Sequence, residues 1–113
     1  LILFGTAPYD EKLIRKSFEV AYRYVSRAED LRRSGSAAID LCMVASGRAE
    51  FFFELALSPW DYAAGALIVE EAGGFVSDLQ GGTLTYDRRQ TVTARAPRVE
   101  LVDVSDLLES GMS

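Results

Sequence analysis

The stretch S-P-W-D-Y-A-A-G-A-L-I-V-E-E-A-G-G, residues 58–74, carries the start and stop signals of one helix. Ser58 suits the cap position, Pro59 the first helical position, and Gly73-Gly74 the exit. Between them almost every residue is small or apolar until Glu70. The spacing predicts a helix over 59–72, buried on most sides. A second helix of the same kind is predicted over 36–47, S-A-A-I-D-L-C-M-V-A-S-G, where Asp40 is the single charge. Between the two lies A-E-F-F-F-E-L-A-L (49–57), short and aromatic-rich, which favours a strand.

Working outward, L-I-L-F-G-T (1–6) reads as a strand that A-P-Y-D-E-K ends, with Asp10 as a helix cap. From there to Arg27, the positions Ile14, Phe18, Ala21 and Val25 recur at helical spacing among charged residues, the pattern of a surface helix with one buried face. A-E-D-L-R-R-S-G (28–35) has room for a strand of a few residues. F-V-S-D-L (75–79) and Q-T-V-T-A-R-A (90–96) read as strands joined through a turn region at Gly81-Gly82. A last short helix is expected within 97–109. Strands alternating with helices imply a layered α/β domain, helices covering a sheet. Ligands are then expected at the carboxyl ends of strands, at the turns around Gly35 and Ser58.

Bulk properties exclude several classes. At 113 residues the chain makes one domain, and 49% hydrophobic residues suffice for a core. A net charge of −5 argues against a partner that is a nucleic-acid polymer. No apolar run approaches the roughly 18 residues of a membrane span. The single cysteine, Cys42, reads as a core residue and fits a reducing, cytoplasmic setting. With no histidine, a metal site would use carboxylates and carbonyls and favour a hard ion such as Mg²⁺ or Ca²⁺. The chain opens on Leu1 inside a strand, which suggests a segment upstream.

Local chemistry leaves each candidate with two readings. Ser58-x-x-Asp61 fits a capping box, and an acid in the first turn suits the helix dipole by about 0.3–1 kcal/mol; Asp61 could equally ligate a metal. Glu54 could be a solvated strand-end acid, or share one cleft with Asp61 across the strand-to-helix turn. Gly35-Ser36-Ala37 could be an ordinary capped helix start or an open set of amides for an anion or hydroxyl. Asp40 is expected to bond a buried donor. Glu70 and Glu71, at a helix end whose dipole disfavours them, are expected in solvent.

Taken together, R-x-x-G-[ST]-A-A, an acid seven positions before the aspartate of W-D, the W-D-x-A-A-G helix start and the E-A-G-G exit closely resemble the C-terminal half of the inositol monophosphatase family. These are magnesium-dependent, lithium-sensitive phosphatases. The resemblance implies that Asp61 is a Mg²⁺ ligand, that Glu54 contacts a substrate hydroxyl, and that Gly35, Ser36 and Ala37 lie beside the substrate. Thr6 aligns with a small hydroxyl residue near it, and Trp60 with packing that fixes the turn presenting Asp61. The family's other metal ligands come from an N-terminal half with a glutamate pair and a D-P-x-D-G-T segment, neither of which occurs in residues 1–113. The resemblance thus implies a C-terminal domain carrying half of an active site, with no catalytic residue beyond the metal ligand. It would be inactive alone, with a surface left exposed for the missing half, and homodimeric in full-length form. The implied substrate is inositol monophosphate or a related phosphate monoester. Alternatives within the superfamily are a 3′(2′),5′-bisphosphate nucleotidase or a fructose bisphosphatase-like enzyme; outside it, a non-catalytic binding or assembly domain.

Overall fold

A computed structural model describes residues 1–6, 10–28 and 30–108. The elements are β1 (Ile2–Phe4), α1 (Glu11–Val25), β2 (Leu31–Arg32), α2 (Ala37–Ala45), β3 (Phe51–Leu57), α3 (Pro59–Glu71), β4 (Phe75–Ser77), β5 (Gln90–Arg95) and α4 (Ser105–Leu108). The strands form one sheet in the order β2-β1-β3-β5-β4. β1 runs parallel to both β2 and β3, whereas β5 is antiparallel to β3 and β4. This is the layered α/β arrangement expected.

Both faces of the sheet are covered, and the aromatic run of β3 shows why it reads as unbroken apolar sequence. Phe51, Phe53 and Leu55 point to one face, where Val20, Ala21 and Tyr24 of α1 and Leu108 of α4 meet them. Phe52 points to the other, into a cluster with Leu41 and Val44 of α2 and Tyr62, Ala66 and Val69 of α3. The Tyr24 ring stacks on Phe51 with centroids 4.4 Å apart, and its hydroxyl accepts the Val102 amide at 2.8 Å. Along β3 the register against β5 shifts between Glu54 and Leu57. That irregularity returns Leu57 to the α2/α3 face and re-aims the strand's last residues.

The caps follow the sequence. The Asp10 carboxylate accepts the amides of Lys12 (2.9 Å) and Leu13 (3.3 Å). At the other end of α3, Gly73 takes φ +91° and the Gly74 amide returns to the Val69 carbonyl at 2.9 Å. Gly81 also takes a positive φ in the expected turn, where the Asp78 amide donates to the Gly82 carbonyl. Residues 7–9 and Glu109, parts of the expected first loop and last helix, lie outside the described residues.

Three expectations about packing are corrected. The buried face of α1 is Ser17, Val20, Ala21 and Tyr24, while Phe18 (54% exposed) and Val25 (40%) turn outward. Two apolar stripes compete on this helix, and the one that meets the aromatic face of the sheet is buried. α2 and α3 are covered where they face the sheet and each other, leaving Ile39, Leu67 and Ile68 exposed, and Cys42 on the outer side of α2 is exposed rather than core. Trp60 is 83% exposed, so the turn that presents Asp61 is held without it. Glu70 and Glu71 are in solvent as expected.

Candidate active site

β1 and β3 are neighbouring parallel strands, yet α1 after β1 covers one face of the sheet and α3 after β3 the other. A crevice opens between their carboxyl ends for that reason, the topological switch point of an open sheet. The cleft there is about 230 Å³ and is lined by Gly5, Thr6, Arg33, Gly35, Ser36, Ala37, Asp40, Glu54, Leu57 and Asp61. All six residues singled out from sequence, Thr6, Gly35, Ser36, Ala37, Glu54 and Asp61, are therefore brought together, from four separate segments. Larger concavities exist elsewhere on the surface, but none gathers these groups.

Glu54 leaves β3 half-buried and lies across the backbone at Gly5, just past the end of β1. A side chain at Gly5 would place its Cβ 1.6 Å from Glu54 Oε1, so the carboxyl reaches this position because residue 5 has none. The Glu54 carboxyl is pushed up to about 7, first by burial and then by the charges of Asp61 and Asp40, with Arg33 and Arg89 opposing. Near neutral pH it is partly protonated, able to donate as well as accept.

Asp61 stands in the first turn of α3. The Ser58 amide donates to Asp61 Oδ2 at a long 3.4 Å, while the Asp61 amide donates to the Ser58 carbonyl at 2.8 Å. The side-chain half of the capping box is thus weak, and the carboxylate stays exposed on the cleft wall. The loop before α2 is tied more firmly. Ser34 Oγ donates to Asp40 Oδ1 at 2.6 Å and accepts the Ser36 amide at 3.1 Å, and Ser36 Oγ accepts from Ile39 at 3.3 Å. Asp40 is 1% exposed, but its donor is the hydroxyl of the exposed Ser34 rather than the buried donor expected; desolvation raises its pKa, and the Ser34 bond partly offsets this. Gly35 takes φ +86°, which keeps the turn open where a side chain would be strained.

Sequence reading did not pick out Gly5, Arg33 or Leu57, and took Asp40 only as a buried acceptor. Arg33 carried a usable signal. Successive residues leaving a strand point to opposite sides; Arg32 pairs with Asp30 at 2.9 Å, and Arg33 turns into the cleft instead. Thr6 is 8% exposed, and its hydroxyl accepts from Arg33 Nε at 3.1 Å.

The donor set is all oxygen and suits a hard cation rather than a soft one. Its number falls short of a closed site: among the described residues no group of three or more acids or other ligating side chains could hold a metal ion. Asp40 is engaged by Ser34, and Glu54 is drawn toward its protonated form. Asp61 and its surroundings fit one wall of a magnesium site. Among the described residues no helix is long and apolar enough to cross a membrane.

Comparison with known proteins gives the family and the fold. The model of the inositol monophosphatase family matches residues 3–110. Over 99 residues the chain is 56% identical to Nus factor SuhB of Escherichia coli K12, covering 87% of this chain and 37% of that protein. An inositol monophosphatase structure from Anabaena (Nostoc) sp. PCC 7120 superposes with a TM-score of 0.71 at 34% identity, over 83% of this chain and 38% of that one. The inositol monophosphate-bound structure of SaIMPase-II gives a TM-score of 0.71 at 28% identity, over 85% of this chain and 37% of that one. The chain spans about two fifths of the length of the curated relatives it matches.

Proposed function

The chain belongs to the inositol monophosphatase family, and we propose that its cleft is the C-terminal wall of a magnesium-dependent phosphate monoester hydrolase acting on inositol monophosphate or a related ester. The observation that carries the reading is the convergence of Asp61, Glu54, Thr6 and the Gly35–Ala37 turn on one crevice at the switch point of the sheet. Asp61 would hold the metal ion. The chemistry it would supply there is activation of water and stabilisation of the phosphoryl oxygens and the leaving group.

This chain's own groups orient the ester. Glu54, buried and lying over Gly5, receives a hydroxyl of the alcohol part. Its position next to Asp61 sets the distance between that hydroxyl and the phosphorus. The first amides of α2 have no partner inside the helix and face an anion or hydroxyl at Ala37. Mg²⁺ takes about six oxygens in near-octahedral geometry, several of them from water and substrate phosphate, and Asp61 supplies one carboxylate, so any further protein ligands would come from an N-terminal half. The apolar outer side of α2 and α3, with Ile39, Leu67 and Ile68 exposed, is the surface that half would cover.

Full-length protein assayed on inositol, sugar and nucleotide monophosphates should hydrolyse at least one in a Mg²⁺-dependent manner. Residues 1–113 alone should be silent and gain activity only on mixing with the upstream half. Robust hydrolysis by residues 1–113 alone would refute the half-site reading.

The name of the curated relatives, Nus factor SuhB, favours a second reading in which the same fold serves binding and assembly. Asp61→Asn separates the two: a binding role survives loss of the charge, and hydrolysis does not.

A further inference from the structure

We propose that Arg33 is a specificity-determining residue, its guanidinium receiving a second phosphate on the alcohol part of the ester. The inference rests on the phosphatase reading and narrows its substrate class to esters that carry an additional phosphate.

Of the ten described arginines, four have side chains engaged away from the cleft. Arg23 forks onto both oxygens of Asp106 at 2.5 and 2.6 Å, Arg32 pairs with Asp30, and Arg98 stands 3.8 Å from Glu50. Arg95 lies over the Phe75 ring at 5.0 Å and donates to the Val99 carbonyl at 2.6 Å. Arg33 differs from all four. It is in no described ion pair; Arg15, Arg27, Arg48, Arg88 and Arg89 are likewise in none, but of the ten only Arg33 lines the cleft.

Its side chain is nonetheless held. Nε donates to the buried Thr6 hydroxyl at 3.1 Å, and Nη1 stands 3.9 Å from where a Cβ of Gly35 would be. With Nε engaged, the two terminal nitrogens keep their N–H groups as a fork fitted to a planar pair of oxyanion oxygens. A fork fixed at one corner loses less side-chain entropy on binding than a free arginine does.

Charge accounts for the kind of ligand. The cleft is lined by Asp40, Glu54 and Asp61, and such a wall repels an anion unless a cation meets it. A metal at Asp61 serves the phosphoryl group that reacts. A second phosphate, on the alcohol side near Glu54, would need its own counter-charge. Arg33 is held by Thr6, the residue after Gly5, over whose position the Glu54 carboxyl lies, which puts its guanidinium on that side of the cleft. Arg89 acts on the same carboxyl from the 83–89 loop, which the Tyr62 hydroxyl pins by donating to the Arg88 carbonyl at 2.9 Å. A neutral polyol would meet Glu54 and leave the fork unused.

The test measures kcat/KM of the full-length protein for an inositol bisphosphate and an inositol monophosphate, in the unsubstituted form and as Arg33→Gln and Arg33→Lys. The unsubstituted protein should favour the bisphosphate. Arg33→Gln should lower the bisphosphate-to-monophosphate ratio roughly ten-fold or more, the loss of one charge-assisted pair. Arg33→Lys should restore part of it, since the charge returns without the fork. Should Arg33→Gln fail to fold, Thr6→Val, which removes the anchoring acceptor, should lower the same ratio by less. An unchanged ratio, or an equal fall for both esters, overturns the inference and leaves the phosphatase reading standing. Hydrolysis of neither ester by the unsubstituted protein overturns both.

Discussion

The two halves of β3 obey different rules. From Phe51 to Phe53 every side chain is buried, alternating between the α1 face and the α2/α3 face. From Glu54 to Leu57 the register against β5 breaks, a carboxyl takes a place an apolar residue would fill, and the strand ends in a cleft. The first half is optimised for packing and the second carries strain in charge: Glu54 sits where burial and two neighbouring acids both oppose its ionisation. Site chemistry thus enters the strand at Glu54, one residue beyond the Phe51–Phe53 run, while Leu55 and Leu57 still pack into the core, and substitutions at Glu54 and within that run should differ in kind.

The largest effect is expected in the packing half. Phe52→Ala removes a ring that is 0% exposed from the centre of the α2/α3 cluster. It should cost about 3–5 kcal/mol of stability in denaturant unfolding of the full-length protein. A loss below about 1 kcal/mol would show that this cluster does not hold the sheet to its helices.

Glu54 should show the opposite signature. Its pKa rises from an ordinary 4.5 to about 7 on folding. The folded state therefore favours the protonated carboxyl, and stability should fall as pH rises from about 4.5 to about 7, levelling off above. The loss is of order 2 kcal/mol, measured by thermal unfolding in chelator, and Glu54→Gln should flatten it. The same variant should raise KM while leaving metal affinity intact. A Glu54→Gln pH profile identical to the unsubstituted one would remove the buried-acid account.

Gly5→Ala probes the boundary itself. The added Cβ collides with the end of a flexible side chain, so Glu54 is displaced and the backbone is spared. We expect about 1 kcal/mol or less in stability but a fall of roughly ten-fold in kcat/KM, since misplacing a substrate-positioning group is costly in rate. Retained kcat/KM would mean that the Glu54 position is not used.

The smallest effect is predicted for Trp60→Ser. Because the indole is 83% exposed, the stability of residues 1–113 should change by less than about 0.5 kcal/mol. A cost above about 2 kcal/mol would reinstate it as packing for the α3 turn.

The uneven legibility of the molecule has physical causes. Helix ends were readable because Asp10, Ser36, Pro59 and Gly73 each solve a local backbone problem at one position. Candidate site residues could be named because R-x-x-G-[ST]-A-A holds Gly35, Ser36 and Ala37 within one turn of chain and W-D-x-A-A-G holds Asp61. Which helix face is buried was not readable. In α1 the Ile14/Phe18/Val25 stripe and the Val20/Ala21/Tyr24 stripe are both apolar, and only the position of the Phe51 ring decides between them. Nor does an apolar α2 or α3 reveal that its outer side faces open space, as at Cys42 and Leu67. The roles of Gly5 and Arg33 depend on β1 lying beside β3 and on which way the chain leaves β2, both properties of the sheet order.

The central claim is that Asp61 is a metal ligand placed by α3 rather than a helix cap. Isothermal titration of Mg²⁺ into the full-length protein and its Asp61→Asn variant tests it most directly. Asn keeps the shape and the weak bond from the Ser58 amide, so a cap should tolerate the change at well under about 1 kcal/mol. A ligand should not: we predict a loss of Mg²⁺ affinity of at least roughly ten-fold, with the unfolding transition nearly unmoved. Equal affinity in the two proteins, with a lowered unfolding transition in the variant, would contradict the account and leave Asp61 as a cap.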